Sequence, residues 1–192
     1  GNQIKKTVTK GQGAGWTTDY SYDYENRLNK ITFYDGSISE YTYDGIGKRI
    51  QSLEEGQLTK YLYDGLNAII ERNADNLTTA TYSRGLSYGG GIGGIISALS
   101  GSNTSYYHYD GIGSVTNLTD STGKVVQTYT YDSYGNVLSS LGNVDNPYGF
   151  STKEYSPSSG LIYFGARYYS PGLGRFLQRD PLHLDDENTY TY

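Results

Sequence analysis

The residue types that most often do chemistry are few in this chain. Two histidines occur and no cysteine. His108 stands between two tyrosines on a predicted strand and faces the opposite side from them, which favours a hydrogen-bonded structural role. His183 has no second histidine or cysteine with which to share a transition metal, and the acidic run at 185–187 lacks the alternating spacing of a calcium loop. No nucleophile-elbow, zinc-protease or phosphate-loop motif is present, so the sequence predicts no metal and no cofactor.

A carboxylate that recurs at a regular interval is more informative. Aspartate follows tyrosine at intervals of 21, 20, 46 and 22 residues, at Asp23, Asp44, Asp64, Asp110 and Asp132. The long interval contains a copy at 82–85 that has lost its aspartate. Three positions after each aspartate comes a residue that tolerates positive φ, namely Asn26, Gly47, Asn67, Gly113 and Gly135. This pattern predicts tight turns in which the carboxylate accepts backbone N–H bonds.

Two tyrosines, two positions apart, precede each of these turns. The pairs are Tyr20 and Tyr22, Tyr41 and Tyr43, Tyr61 and Tyr63, Tyr107 and Tyr109, and Tyr129 and Tyr131. Residues two apart on a strand point to the same face, so each copy places two rings on one side of a sheet. After the turn the chain becomes apolar again in four copies, with Arg49 as the exception.

The elements that position these residues are therefore strand, turn, strand. Second turns close the other end of each unit, at 35–36, 55–56, 75–76 and 122–123. The sequence predicts an all-β meander of hairpins that forms a curved strip or partial β-shell, with little or no helix. A single unit cannot bury its own face, so neighbours must stack, and the strip must end in strand edges.

Composition excludes several classes of protein. The chain has 23 Tyr, 26 Gly, no Met and a net charge of −5. Because other large apolar residues are sparse, tyrosine must supply much of the core. The basic residues are scattered singly, so no nucleic-acid partner is expected. No apolar run reaches 18 residues, which excludes a transmembrane helix, and the lack of cysteine excludes a disulfide framework.

Two regions depart from the repeat. Residues 85–101 are rich in glycine and are expected to form a flexible loop with a small buried strand at 92–99. From Asn146 onward the repeat gives way to a denser segment.

From about residue 16 to residue 192 the chain resembles the RHS (rearrangement hotspot) proteins and the related YD-repeat regions of toxin-complex C components and teneurins. The motifs that carry the resemblance are YSRG at 82–85, YHYDGIGSV at 107–115, LTD at 118–120, YDSYG at 131–135, GLIY at 160–163, RYY at 167–169, GRF at 174–176, DP at 180–181 and NTYTY at 188–192. The resemblance implies YD-repeat hairpins at 1–80 and an RHS repeat-associated core domain at 81–192, continuous in one structural unit.

The resemblance also implies functions. Such proteins wind a long β-strip into a shell around a polypeptide, often a C-terminal toxin. Bacterial relatives carry an aspartyl autoprotease at the end of this core, which would make Asp180 one catalytic aspartate and Arg179 its neighbour. The second aspartate of that family would lie beyond Tyr192, and either Asp185 or Asp186 could substitute for it. The alternative is a structural turn at Asp180, with Arg179 or Arg175 paired to the carboxylate.

Three hypotheses follow. The first is a structural segment, not an enzyme by itself, that forms part of a shell or scaffold around an exported polypeptide. The second is an autoprotease segment that releases a C-terminal polypeptide. The third is a cell-surface module that binds sugar or protein, or that assembles with its own copies through strand edges. The expected partners are the remainder of a larger polypeptide, an enclosed segment, a second copy or a glycan, and the expected location is secreted or on the cell surface, in a bacterium.

Overall fold

The computed structural model describes residues 1–180 and residue 190, and within them the chain is built from two antiparallel sheets. The larger sheet contains β1 (Lys5–Thr7), β2 (Thr17–Tyr22), β3 (Leu28–Thr32), β4 (Ile38–Tyr43), β5 (Arg49–Glu54), β6 (Gln57–Asp64), β7 (Asn67–Arg72), β8 (Thr78–Arg84), β9 (Ile95–Ser100), β10 (Asn103–Tyr109), β11 (Val115–Thr119), β12 (Val125–Tyr131) and β13 (Val137–Gly142). The smaller sheet contains β14 (Glu154–Ser156), β15 (Leu161–Tyr163), β16 (Tyr168–Ser170) and β17 (Arg175–Phe176). A single turn of 3-10 helix at Phe150–Thr152 precedes it.

Every strand of the larger sheet pairs with its neighbours in the sequence, so the order in space is the order in the chain. The sheet is not closed, because β1 and β13 lie at its two ends and do not pair with each other. The predicted all-β meander, forming a curved strip, is confirmed. None of the described residues form a helix long and apolar enough to cross a membrane.

The aspartate turns have one geometry in four of the five copies. At Asp23 the carboxylate oxygen Oδ1 accepts the backbone N–H groups of Glu25 and Arg27, both at 2.9 Å. Asn26, the next to last residue of the turn, has a φ of 61°. The same pair of carboxylate bonds occurs at Asp44, Asp110 and Asp132, and outside the Tyr-Asp pairs at Asp120, while at Asn73 the side-chain amide oxygen accepts the equivalent two bonds. These are three-residue hairpin loops that end in a left-handed residue.

The third copy differs from the expectation. Asp64 and Asn67 both lie in strands and pair with each other, so the loop has only two residues. Its positive φ, 57°, falls on Gly65 and not on Asn67. Glycine at the first central position is the requirement of a type II′ hairpin, which explains the shorter connection. Asn67 is thereby released from the turn, and its side chain accepts a hydrogen bond from Arg84 at 3.4 Å.

The second tyrosine of each pair forms a tyrosine ladder. Its hydroxyl donates to a backbone carbonyl at the start of the preceding strand, or, for Tyr22, just before that strand: Tyr22 to Gln3 (2.6 Å), Tyr43 to Leu28 (2.5 Å), Tyr63 to Arg49 (2.7 Å), Tyr109 to Ile95 (2.6 Å) and Tyr131 to Val115 (3.0 Å). A half-buried ring thus has a partner for its hydroxyl, and each hairpin is bonded to the one before it.

The first tyrosine of each pair points into the space between the two sheets. Four of the five are buried: Tyr20, Tyr41, Tyr61 and Tyr107. One core cluster joins Tyr20 and Tyr41 of the strip to Leu161 and Tyr168 of the smaller sheet. A second cluster places Tyr148 against strands β8 to β11. The smaller sheet therefore packs on the tyrosine-bearing face, while His108 on the outer face is exposed and lies 3.0 Å from the hydroxyl of Thr119.

Backbone hydrogen bonds fix the first part of the glycine-rich segment, for which the sequence predicted a flexible loop. The strand that follows begins at residue 95 and not at residue 92. The strand β9 starts at Ile95, because Gly91 and Gly93 have positive φ and keep Ile92 in a turn. The N–H of Gly85 donates to the carbonyl of Gly94 at 2.9 Å, which closes residues 85–94 into a compact loop.

Tyr63→Phe tests the tyrosine ladder. The substitution leaves the ring in place but removes the donor to the carbonyl of Arg49, and it should lower the free energy of unfolding by about 1 kcal/mol in urea titrations. Tyr24→Phe is the control, since Tyr24 is 91% exposed. Equal midpoints for the two variants would contradict a structural role for the ladder.

Candidate functional site

The predicted catalytic pair lies where the smaller sheet ends. Asp180 Oδ2 is 2.9 Å from Nη2 of Arg167, so the arginine that pairs with it is neither Arg179 nor Arg175. Arg167 also covers the ring of Phe176, with 3.8 Å between guanidinium carbon and ring centroid. Burial lowers the pKa of Arg167, and the charge of Asp180 opposes that shift.

Arg179 is exposed, and the candidates His183 and 185–187 lie outside the described residues.

A buried arginine joins the two sheets. Arg49, at the start of β5, is 2% exposed, and its guanidinium forms an ion pair with Glu154 of β14. Nη1 also donates to the hydroxyl of Tyr168 at 3.1 Å. Rings of Tyr163 and Tyr61 lie 4.3 Å and 4.6 Å from the guanidinium carbon. Arg49 is thus held by a carboxylate, a hydroxyl and aromatic faces at once.

The guanidinium of Arg49 keeps its positive charge although it is buried in the protein interior. Burial by itself disfavours the charged guanidinium, but Glu154 and the surrounding tyrosines hold the pKa of Arg49 well above its usual value. Glu154 also accepts the hydroxyl of Tyr61 at 2.9 Å. Removal of one member of such a pair leaves the other charge buried and uncompensated. The pair therefore fixes how the smaller sheet sits on the strip.

Sequence reasoning did not assign Arg49 to a site. The available signal was its position, since it occupies the place after the turn where other copies have an apolar residue. Glu154, its partner, is more than 100 positions away in the chain and belongs to no repeat, so nothing in the local pattern joined the two.

Two cavities flank the buried ion pair. The first has a volume of about 790 Å³. Its charged lining residues are Arg27, Lys48, Arg84, Lys153, Arg179, Glu25, Glu154 and Asp180, so cations outnumber carboxylates; we call it the basic cavity. Both residues of the predicted catalytic pair therefore line this cavity.

The second cavity, of about 690 Å³, has the opposite character. Its charged lining residues are Glu54, Glu55, Glu71, Asp75, Asp145 and Glu154, and among the described residues no lysine or arginine lines it; we call it the acidic cavity. Glu154 borders both cavities. The described residues contain no group of three or more histidine, cysteine or acidic side chains placed to hold a metal ion.

Glu71 is a carboxyl group of the acidic cavity whose pKa is shifted into the neutral range. Burial and the nearby charge of Glu154 raise the pKa of Glu71 to about 7, against a hydrogen bond from Tyr82 that lowers it. That bond, from the tyrosine hydroxyl to Oε1, is 2.8 Å long. This glutamate therefore binds its proton at a higher pH than an exposed carboxyl group does.

Comparisons with known proteins agree with the geometry. The family model described as teneurin YD-shell matches residues 88–191. The tRNA3(Ser)-specific nuclease WapA of Bacillus spizizenii is 37% identical over 211 residues, which cover 100% of this chain and 9% of the relative. The double-stranded DNA deaminase toxin A of Burkholderia cenocepacia is 26% identical, over 96% of this chain and 15% of the relative.

Among solved structures, the Photorhabdus luminescens Tc holotoxin pore with a mutated TccC3 superposes with a TM-score of 0.71 at 20% identity. The match covers 100% of this chain and 10% of that one. At this identity the likeness concerns the fold alone. The chain thus spans between 9% and 15% of the length of the relatives named here.

Glu71→Gln tests the raised pKa. A raised pKa means that Glu71 stabilises the fold below pH 4.5 and that this contribution is lost as pH rises through 7. The variant should therefore gain stability relative to the original chain as pH rises from 4.5 to 8, by about 1–3 kcal/mol, in urea titrations at several pH values. Tyr82→Phe, which keeps the carboxylate, should retain the pH dependence. A difference that does not change with pH would refute the shift.

Proposed function

Because the chain belongs to the teneurin YD-shell family, we propose that it forms one segment of a shell that encloses an exported, toxin-like polypeptide. The observation that carries the proposal is the two-sided strip. Its tyrosine-bearing face is covered by the smaller sheet and bears both cavities, whereas its other face is turned away from them. The two faces of the strip therefore differ from each other, as the inner and outer faces of a shell do.

The open ends support a part within a longer structure. Among the residues that the structure describes, strand β13 pairs on one side only, with β12, and its side chains include Leu138 and Leu141, which are 69% and 67% exposed. An apolar edge without charge is suited to pair with another strand. In this proposal further repeats of a longer polypeptide continue the strip, and the boundary near residue 80 separates plain hairpins from the core domain.

The names of the relatives support a toxin-like cargo. One is named as a nuclease, another as a deaminase toxin, and the structural neighbour as a holotoxin. The relatives named here are bacterial, which agrees with a secreted or cell-surface bacterial protein. A sugar-binding role for the repeat tyrosines is less well supported, since the rings face the smaller sheet and are buried or half-buried.

Limited proteolysis tests the enclosure. In a polypeptide that carries this chain with its flanking segments, the enclosed segment should resist protease far longer than the same segment expressed alone. Arg49→Met should weaken the protection, because it leaves the partly buried Glu154 without its cation and loosens the smaller sheet.

Lys124→Met, in an exposed hairpin loop, is the matched control and should digest like the original protein. Equal digestion of the segment inside and outside the complete polypeptide would rule out enclosure.

Autoproteolysis is a second candidate, favoured by one observation: Asp180 and Arg179 line the basic cavity. An aspartyl protease needs two carboxylates that share one proton, so that one activates water while the other protonates the leaving group. Asp180 supplies one carboxylate in this proposal, and the second lies further along the polypeptide.

Intact-mass analysis of a polypeptide that continues past Tyr192 tests this candidate. Asp180→Asn should abolish a cleavage that occurs in the original polypeptide, because an amide cannot take up or release the proton. Asp19→Asn is the control, since Asp19 lies on the edge-proximal strand β2 and pairs with Lys5. Cleavage that persists in Asp180→Asn would refute a catalytic role.

A further inference from the structure

Four of the five cations that line the basic cavity, Lys48, Arg84, Lys153 and Arg179, form no ion pair within the described residues, and two of them, Arg84 and Lys153, lie close enough for their charges to interact. All three carboxylates that line this cavity are bound by other arginines: Glu25 by Arg27 at 2.7 Å, Glu154 by Arg49 and Asp180 by Arg167 at 2.9 Å. Within residues 1–180 and 190, neither Arg84 nor Lys153 forms an ion pair. The cavity wall at these two residues therefore carries uncompensated positive charge.

The contacts that hold the two cations are neutral ones. Arg84 donates from Nε to the carbonyl of Ala68 at 2.9 Å and from Nη1 to the side chain of Asn67. Its guanidinium lies 5.5 Å from the ring centroid of Tyr148. Lys153 donates to the carbonyl of Gly90. These bonds fix the positions of both groups and leave their charge unneutralised.

The two charges act on each other. Burial and the neighbouring charge of Arg84 lower the pKa of Lys153. A bound anion would relieve this repulsion and would gain charge-assisted hydrogen bonds from groups that are already in place.

The glycine-rich loop keeps the wall open at this point. A Cβ atom at Gly91 would lie 3.6 Å from Nη1 of Arg84 and 2.3 Å from Oδ1 of Asn67, and one at Gly90 would lie 3.7 Å from Nζ of Lys153. Any side chain there would occupy the space beside the cations. The loop is held in place by the N–H of Gly93, which donates to the hydroxyl of Thr152 at 2.6 Å. Gly90 and Gly91 therefore leave space beside the two cations, and this role is separate from the turns of the YD repeat.

We propose that Arg84 and Lys153 form a binding site for the side-chain carboxylates of an acidic polypeptide segment that lies in the basic cavity. The volume of about 790 Å³ is far larger than a single small anion needs, and aromatic walls formed by Tyr63, Tyr148 and Phe164 offer apolar contact to a chain between its charges. A nucleic acid fits less well, because its regularly spaced phosphates need a continuous basic stripe, and the basic residues of this chain are scattered singly.

The inference that the bound segment is an enclosed one rests on the proposed function, whereas binding of an acidic peptide requires only the basic cavity. Loss of protease protection with peptide binding intact would refute the enclosure alone. Protection without peptide binding would refute the site alone.

Fluorescence anisotropy with a labelled heptapeptide, Gly-Glu-Glu-Glu-Glu-Gly-Ser, tests the site on the 192-residue chain. We expect saturable binding that weakens with salt, and no binding of the peptide in which glutamine replaces glutamate. Arg84→Gln and Lys153→Gln should each weaken binding about tenfold, since each removes a charge-assisted hydrogen bond. Lys124→Gln, the matched control in an exposed loop, should bind like the original chain.

Thermal unfolding of each variant shows whether it is folded, and if Arg84→Gln does not fold, Lys153→Gln and the salt dependence decide. Equal binding by Lys153→Gln and the control overturns the proposal. Displacement of the peptide by inorganic phosphate at matched concentration would also overturn it, because the site would then take small anions in general.

Discussion

The need to give every buried tyrosine hydroxyl a hydrogen-bond partner organises this structure. A core made largely of tyrosine obtains its apolar area from rings that each carry a polar atom, and an unpaired hydroxyl in that core would cost free energy. The second tyrosine of each pair meets the need by bonding to a carbonyl of the element before its own strand, as Tyr43 does with Leu28. The same bond that satisfies the ring also ties consecutive hairpins together, so the chemistry of the residue sets the architecture of the strip.

The first tyrosines meet the same need differently, and this difference creates the site. The hydroxyls of four of them bond to acidic or amide side chains, as Tyr61 donates to Glu154 and Tyr107 donates to Asn146 at 2.7 Å. Acidic groups are thereby drawn into the interior between the two sheets. One of them is neutralised by Arg49, and another, Glu71, responds with a raised pKa. The two cavities of opposite charge lie on either side of this network.

Much of the fold was predictable because it is local. A carboxylate three residues before a glycine or asparagine bonds to backbone N–H groups within five residues of itself, so Asp23 and Asp110 predict their turns without knowledge of the rest of the chain. The exception, Asn67, shows the limit of that reasoning. Gly65 allowed a tighter hairpin, and local rules alone did not rank the two possible turns.

The repeat, the turns and the face to which the tyrosines point follow from the order of the residues, since all three depend on residue type and on a period of two along a strand. Which distant groups meet follows from the folded arrangement of the two sheets. Arg49 and Glu154 are joined across two sheets, Asp180 is paired with Arg167, and Arg84 shares a cavity wall with Lys153. The physical reason is that charges interact through space. The number of residues that separate two groups in the sequence does not determine how far apart the two groups lie in the folded strip.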